Sequence, residues 1–228
     1  MRKLLSLLTL LLLAFSTACS KCGSTAPALE PDVSLSPDLL EKTVALVHQD
    51  SDGDWISYCA GVWVSPTTIL TANHCVDDEP KTIMFLTHKD QTELYVTPII
   101  RHDAKVLRLD PDHDLALLSA TYEKASSFAV LASSSPPVGT PLILVGGPIG
   151  LTWTQMPGSV AGYRQGLRYV TPTEGPFMQI SGGIFNGHSG GPAFDHNGRM
   201  VSLMILRSPA PAIGFGVHID TIRKFIKN

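Results

Sequence analysis

From about Asp38 onward the chain is written as short apolar segments separated by turn residues: TVALVHQ, ISYCAGVWV, TTILTA, KTIMFLT, ELYVTPII, AKVLRLD and DLALLSA. Several alternate apolar with polar positions, and most are rich in β-branched residues, as half-buried strands should be. Thr121 to Pro137, with its Ser-Ser-Ser-Pro-Pro run, interrupts the series. A second set follows: PLILVGG, GSVAGYR, RYVTP, PFMQIS, GPAFD, MVSLMIL and GFGVHI. Only the tail changes period, since Ile222, Phe225 and Ile226 fall on one face at helical spacing. The pattern predicts an all-β chain of two similar barrels, about 38–120 and 138–220, ending in a helix over 219–227. It lacks the alternating strands and helices of an α/β fold.

The first residues follow another logic. Arg2 and Lys3 precede an apolar run from Leu4 to Phe15, and Ser16-Thr17-Ala18 supplies small residues for cleavage. That run is shorter than the roughly 18 residues of a membrane-spanning helix. Residues 1–18 therefore read as an export signal. Thr17-Ala18-Cys19 is similar to a bacterial lipobox, in which Cys19 is lipidated and holds the protein on a membrane; ordinary cleavage after Ala18 would instead release it. The expected location is the bacterial cell envelope or periplasm as a lipoprotein, or otherwise the outside of the cell. Residues 19–37, rich in Ser, Pro and small side chains, read as a flexible tether.

Composition narrows the function without defining it. A formal net charge of −3 carries no basic signature for nucleic acid. Of the four cysteines, Cys59 and Cys75 flank two β-rich segments around Ser65-Pro66-Thr67, where a bridge would close a hairpin-like loop; two buried thiols are the other reading. Cys22 has no evident partner. His48, His88, His102, His113, His196 and His218 show no compact ligand spacing, so neither a metal nor another cofactor is expected.

The chemistry resides in three segments. Hydrolysis of an amide by serine needs an imidazole to accept the hydroxyl proton and a buried carboxylate to orient that imidazole. It also needs backbone N–H groups aimed at the developing oxyanion. NGHSGGPAF contains a Gly-x-Ser-x-Gly spelling around Ser189, which fits a hydrolase serine or a plain turn. LTANHC places His74 at the end of an apolar segment, and DHDLALL places Asp114 at the opening of another, with Asp112 as its local competitor. The α/β-hydrolase spelling needs an acid and then a histidine downstream. Only Asp195 with His196 or His218 follows Ser189, in too short a tail for that fold.

ILTANHCV, DHDLALL and GHSGGP, in this order, resemble the trypsin-like (chymotrypsin-fold) serine proteases. The likeness reaches from about Val44 onward. PLILVGGPIGLTWTQMPGSVAGYR, PFMQISGGIFNGHSGGPAF and IGFGVHID are similar to segments of the bacterial HtrA-type protease domain. The resemblance implies two six-stranded antiparallel barrels in the chymotrypsin-like arrangement, with no PDZ module expected after the terminal helix. It implies an endopeptidase acting on protein or peptide substrates, with His74 as base, Asp114 as its orienting acid and Ser189 as nucleophile. Gly187, His188 and Ser189 would supply the oxyanion N–H groups. The substrate pocket would draw on Gly183 and Ile184, on Met204, Ile205, Leu206 and Arg207, and on the stretch Gly214 to Val217, Gly216 included, across from them. With no acid at Gly183 or Gly216, small or medium apolar side chains are expected before the scissile bond. His188 replaces the acid that captures a cleaved N-terminus in the digestive branch, so no such activation switch is expected. A non-catalytic binding protein on the same scaffold is the alternative from another class.

Overall fold

The computed structural model describes residues 37–76, 83–90, 101–167, 174–208 and 212–227. The expected export signal, Cys19, Cys22, almost all of the expected tether and the ELYVTPII and RYVTP segments lie outside these residues. A short helix α1 (Pro37–Glu41) leads into β1 (Thr43–Gln49), β2 (Trp55–Ser65), β3 (Thr68–Thr71), β4 (Ile83–Thr87), β5 (His102–Asp110) and β6 (Leu115–Ala120). These six strands close into an antiparallel barrel in the order β1-β2-β3-β6-β5-β4. The polar/apolar alternation decides the inward face: Val62, Ile69, Leu70, Phe85, Leu115 and Leu118 are buried, while Leu107 and Leu109 point outward on β5.

The second barrel contains β8 (Pro141–Gly146), β9 (Thr154–Gly166), β10 (Glu174–Gly182), β11 (Pro192–Phe194), β12 (Arg199–Arg207) and β13 (Ile213–His218). Its order is β11-β8-β9-β10-β13-β12, and β11–β12 pairing closes the ring. The two-residue strand β7 (Val130–Leu131), in the segment between the barrels, lies parallel to the start of β12. Strand β9 begins four residues before the GSVAGYR segment. Pro157-Gly158 punctuates it and hides its continuity in the sequence, yet Pro157 pairs with Ile143 and Gly158 with Leu142.

One apolar core runs through both barrels. Trp63 and Phe85, edge to face at 5.5 Å, belong to the same cluster as Ile143, Phe177 and Phe194 of the second barrel. The last helix, α2 (Ile219–Lys227), adds Ile222 and Phe225 to that cluster. Its end is held by the first barrel: the Arg108 guanidinium on β5 lies 4.6 Å from the Phe225 ring centroid and donates to the Phe225 carbonyl. The helix thus spans the junction.

Cys59 on β2 and Cys75 beyond β3 form a disulfide across a separation of 16 residues. For a loop near this length, cross-linking stabilises by about 3 kcal/mol through the entropy of the unfolded chain. Replacing both cysteines by serine should lower the unfolding free energy by about 2–4 kcal/mol, read as a reduced urea midpoint. An unchanged midpoint would mean that the bridge contributes nothing to stability.

Candidate active site

His74 sits in a single turn of 3₁₀ helix, Asn73–Cys75, that ends β3. The disulfide secures one side of this turn, and the Tyr58 hydroxyl donates to the Cys75 carbonyl at 3.1 Å. Asp114 closes the turn before β6 with φ of 57°, and its carboxylate is nearly sequestered from solvent. Both of its oxygens engage His74. Oδ1 accepts the His74 backbone N–H at 2.8 Å, and Oδ2 lies 2.7 Å from ring Nδ1. A proton on Nδ1 satisfies that contact and leaves Nε2 with its lone pair. Asp112 makes no such contact; its carbonyl accepts the Glu174 N–H instead. Asp110 pairs with His113, with 2.9 Å between Oδ2 and Nδ1.

Ser189 belongs to the loop between β10 and β11, and main-chain bonds tie this loop to both barrels. The Ser189 carbonyl accepts from Ala60 N–H at 2.8 Å and lies 3.8 Å from Cys75 Sγ, so the serine stands beside the residue that follows His74. On the other side, Gly190 N–H donates to Met204 O at 2.7 Å and Met204 N–H to Gly191 O at 2.8 Å. Two glycines have steric reasons. At Gly187, with φ of +94°, a Cβ would fall 1.9 Å from the Gly147 carbonyl oxygen; at Gly190, with φ of +78°, it would fall 2.2 Å from Ala60 O.

His188 leaves the expected set of oxyanion donors, because its N–H is already given to Phe185 O at 3.1 Å. Its side chain is fully buried beneath the turn. Nδ1 lies 3.2 Å from the Phe185 N and 3.3 Å from the Phe185 carbonyl oxygen, and Nε2 is a buried atom without a partner. Burial pushes the imidazole's pKa down from its ordinary value, outweighing the opposing effect of the Phe185 backbone.

The substrate-pocket residues separate into two groups. At Gly183, expected with Ile184 on one side of the pocket, a Cβ would meet Phe185 at 2.8 Å and Met156 at 2.9 Å. Met204 and Ile205 are buried, Leu206 is half-buried, and the Arg207 backbone pairs with Gly214. Gly216 does not face this pocket: a Cβ there would lie 2.2 Å from Ser202 Oγ, inside the barrel. The glycine opposite Ile184 is Gly214, whose added Cβ would fall 2.2 Å from Ile184 Cδ1. The β12–β13 register slips between Met204 and Leu206. Met156 was not singled out by sequence, and nothing in its composition marks it, whereas Gly214 falls within the Gly214–Val217 stretch expected at the far side of the pocket.

Among the described residues, one group of three could offer metal ligands, Cys59, His74 and Cys75, whose donor atoms lie within 4.8 Å of one another. Both sulfurs are committed to the disulfide, leaving no thiolate to bind an ion.

Two joined antiparallel barrels, one carrying a paired His and Asp and the other a glycine-framed serine turn, define the double-barrel class of serine hydrolase scaffold. Residues 59–203 match the family model of the trypsin-like peptidase domain. The chain belongs to the trypsin-like peptidase family. It is 31% identical over 178 residues to a probable periplasmic serine endoprotease, DegP-like, of Bartonella henselae, covering 75% of this chain and 33% of that protein. It is 29% identical over 170 residues to protease Do-like 1, chloroplastic, of Arabidopsis thaliana, covering 71% and 36% respectively. The chain thus spans about a third of the length of these relatives. Among solved structures, the active form of the Rv3671c protease from M. tuberculosis superposes with a TM-score of 0.67 at 18% identity, covering 84% of this chain and 86% of that one. The serine endoprotease from Yersinia pestis gives 0.64 at 20% identity, with 82% and 62% covered. At these identities the superpositions speak for the fold alone.

The lowered His188 pKa has a direction in stability. Below about pH 6.5 the unfolded chain protonates this imidazole while the folded chain resists, so stability falls with falling pH. The slope from this one group is at most about 1.4 kcal/mol per pH unit. His188→Asn should flatten the pH dependence of unfolding free energy between pH 7 and 5; a variant that keeps the wild-type slope would assign it to other groups.

Proposed function

We propose that the protein is an exported serine endopeptidase that hydrolyses peptide bonds through His74, Asp114 and Ser189. The observation that carries this reading is the double engagement of His74 by Asp114. One carboxylate oxygen fixes the backbone and the other fixes Nδ1. The imidazole is thereby held in the tautomer and orientation that a general base requires.

In the reaction, Ser189 Oγ attacks the scissile carbonyl carbon as its proton passes to His74 Nε2. The tetrahedral oxyanion is stabilised by the Gly187 and Ser189 N–H groups. Collapse breaks the C–N bond, and the proton on Nε2 goes to the leaving amine. Water then attacks the acyl-serine ester, giving a proton to His74, and the second product departs as a carboxylic acid while Ser189 is regenerated.

Ile184 limits what can precede the scissile bond. Lying against Gly214, it shortens the space between the two pocket walls, which favours small apolar side chains. Residues 1–18 direct export, and Cys19 is the lipidation point that retains the domain at the bacterial envelope. The periplasmic description of the Bartonella relative supports this location.

A fluorophosphonate probe should label the full-length oxidised protein at Ser189 and leave Ser189→Ala unlabelled. Ser189→Ala and His74→Ala should each lower kcat by about 10⁶-fold, and the double variant should be little worse, because the residues act as a unit. A folded wild-type protein that resists labelling would instead be a binding module on this scaffold. Ile184→Gly should raise kcat/KM for leucine or phenylalanine before the scissile bond roughly tenfold relative to alanine. An unchanged profile would remove Ile184 from the pocket.

A further inference from the structure

Three large apolar side chains stand exposed along one border of the serine loop: Ile149 at 78%, Leu151 at 48% and Phe185 at 47%. Ile149 and Leu151 belong to the connection between β8 and β9, and Phe185 belongs to the serine loop itself. Gly147 N–H donates to Gly187 O at 3.0 Å and Ile149 N–H to Asn186 O at 2.9 Å, which fixes the connection against that loop. Leu151 N–H folds back to Pro148 O at 2.9 Å. Exposed aliphatic residues are ordinary when scattered, but these are gathered on two hydrogen-bonded segments beside a candidate nucleophile.

Ile149 is the informative member. Its backbone is left-handed, with φ of 49° and ψ of 35°. For a β-branched residue this conformation is strained, and glycine would adopt it freely. The side chain does not offset that strain by burial. Strain at an exposed apolar residue beside the serine points to a surface made for contact.

Main-chain bonds assign the two directions along the cleft. Gly190 and Gly191 join the loop to Met204, which leads into Leu206 and Arg207; these pair with β13 on one edge. Among the described strands none pairs with their other edge. An extended substrate adding there places its acyl half along β12. Both ends of the loop, Gly183-Ile184 and Gly190-Gly191, thus stand on the acyl side, whereas Asn186 and Gly187 at its middle are bonded to the β8–β9 connection. The amine half of the substrate therefore leaves Ser189 toward Ile149.

We propose that Ile149 and Leu151 form an apolar subsite for the first two side chains after the scissile bond, with Phe185, whose ring lies against Gly183, at its border with the acyl side, so that favoured substrates carry aliphatic or aromatic residues there. This proposal rests on the endopeptidase reading and adds a second half to its specificity. Burial of one aliphatic side chain in such a subsite supports roughly tenfold discrimination.

The test is cleavage by the full-length protein of a peptide set with a constant acyl half and leucine, phenylalanine, serine or glycine at the two following positions. Ile149→Gly and the double variant Ile149→Ser/Leu151→Ser are assayed alongside. Ile149→Gly also relieves the backbone strain, so it guards against loss through misfolding. Wild type should favour leucine or phenylalanine over glycine by roughly tenfold in kcat/KM, and both variants should reduce this to less than about threefold. Fluorophosphonate labelling should be the same in all three, since the probe has no residues after the reactive bond. A flat wild-type profile with labelling intact, or a preference that survives both substitutions, would overturn the subsite alone. Failure of wild type to label would overturn the endopeptidase reading and the subsite with it. Binding of lipid vesicles that is lost in both variants, alongside a flat cleavage profile, would reassign the rim to a membrane surface and also overturn the subsite.

Discussion

The serine loop is the joint on which the molecule depends. Its backbone is bonded to Ala60 in the first barrel and to Met204 and Gly147 in the second. Because these bonds join main-chain groups, the geometry is insensitive to most side-chain identities along β2, β8 and β12. The requirement falls on the residues that let backbones approach, Gly187 and Gly190, and on the core that holds the barrels together. Moderate identity with relatives is compatible with a closely related fold for this reason.

His188 shows how the same loop is stiffened from beneath. The ring Nδ1 stands within reach of both the N and the O of Phe185, and the His188 N–H returns to Phe185 O, so residues 185–188 close on themselves. The loop has an internal brace before any substrate arrives. Burial disfavours the charged form of this imidazole.

The parts of the site most legible in sequence were those in which residue identity itself carries chemistry. A histidine, an acid and a glycine-framed serine at His74, Asp114 and Ser189 are hard to replace by look-alikes, and their order excluded the α/β-hydrolase arrangement. The alternation of apolar residues was equally informative about the two barrels. Features set by the tertiary fold escaped the sequence. Which glycine of the Gly214–Val217 stretch stands against Ile184 depends on where the serine loop folds back, and whether His188 N–H is free depends on how tightly residues 185–188 turn. Pro157 concealed the start of β9 for a related reason: its pairing depends on a neighbouring strand distant in sequence. Ile149 was unreadable because Pro-Ile-Gly resembles any other turn, while its strain is a property of φ and ψ.

The clasp between Arg108 and the last turn of α2 links a strand of the first barrel to an element synthesised more than a hundred residues later. During synthesis the first barrel can gather its own six strands early, but this contact has no partner until α2 appears. The junction that brings Ser189 beside the His74 turn is therefore completed late. A nascent chain carries His74 and Asp114 long before the junction that sets Ser189 beside them is closed.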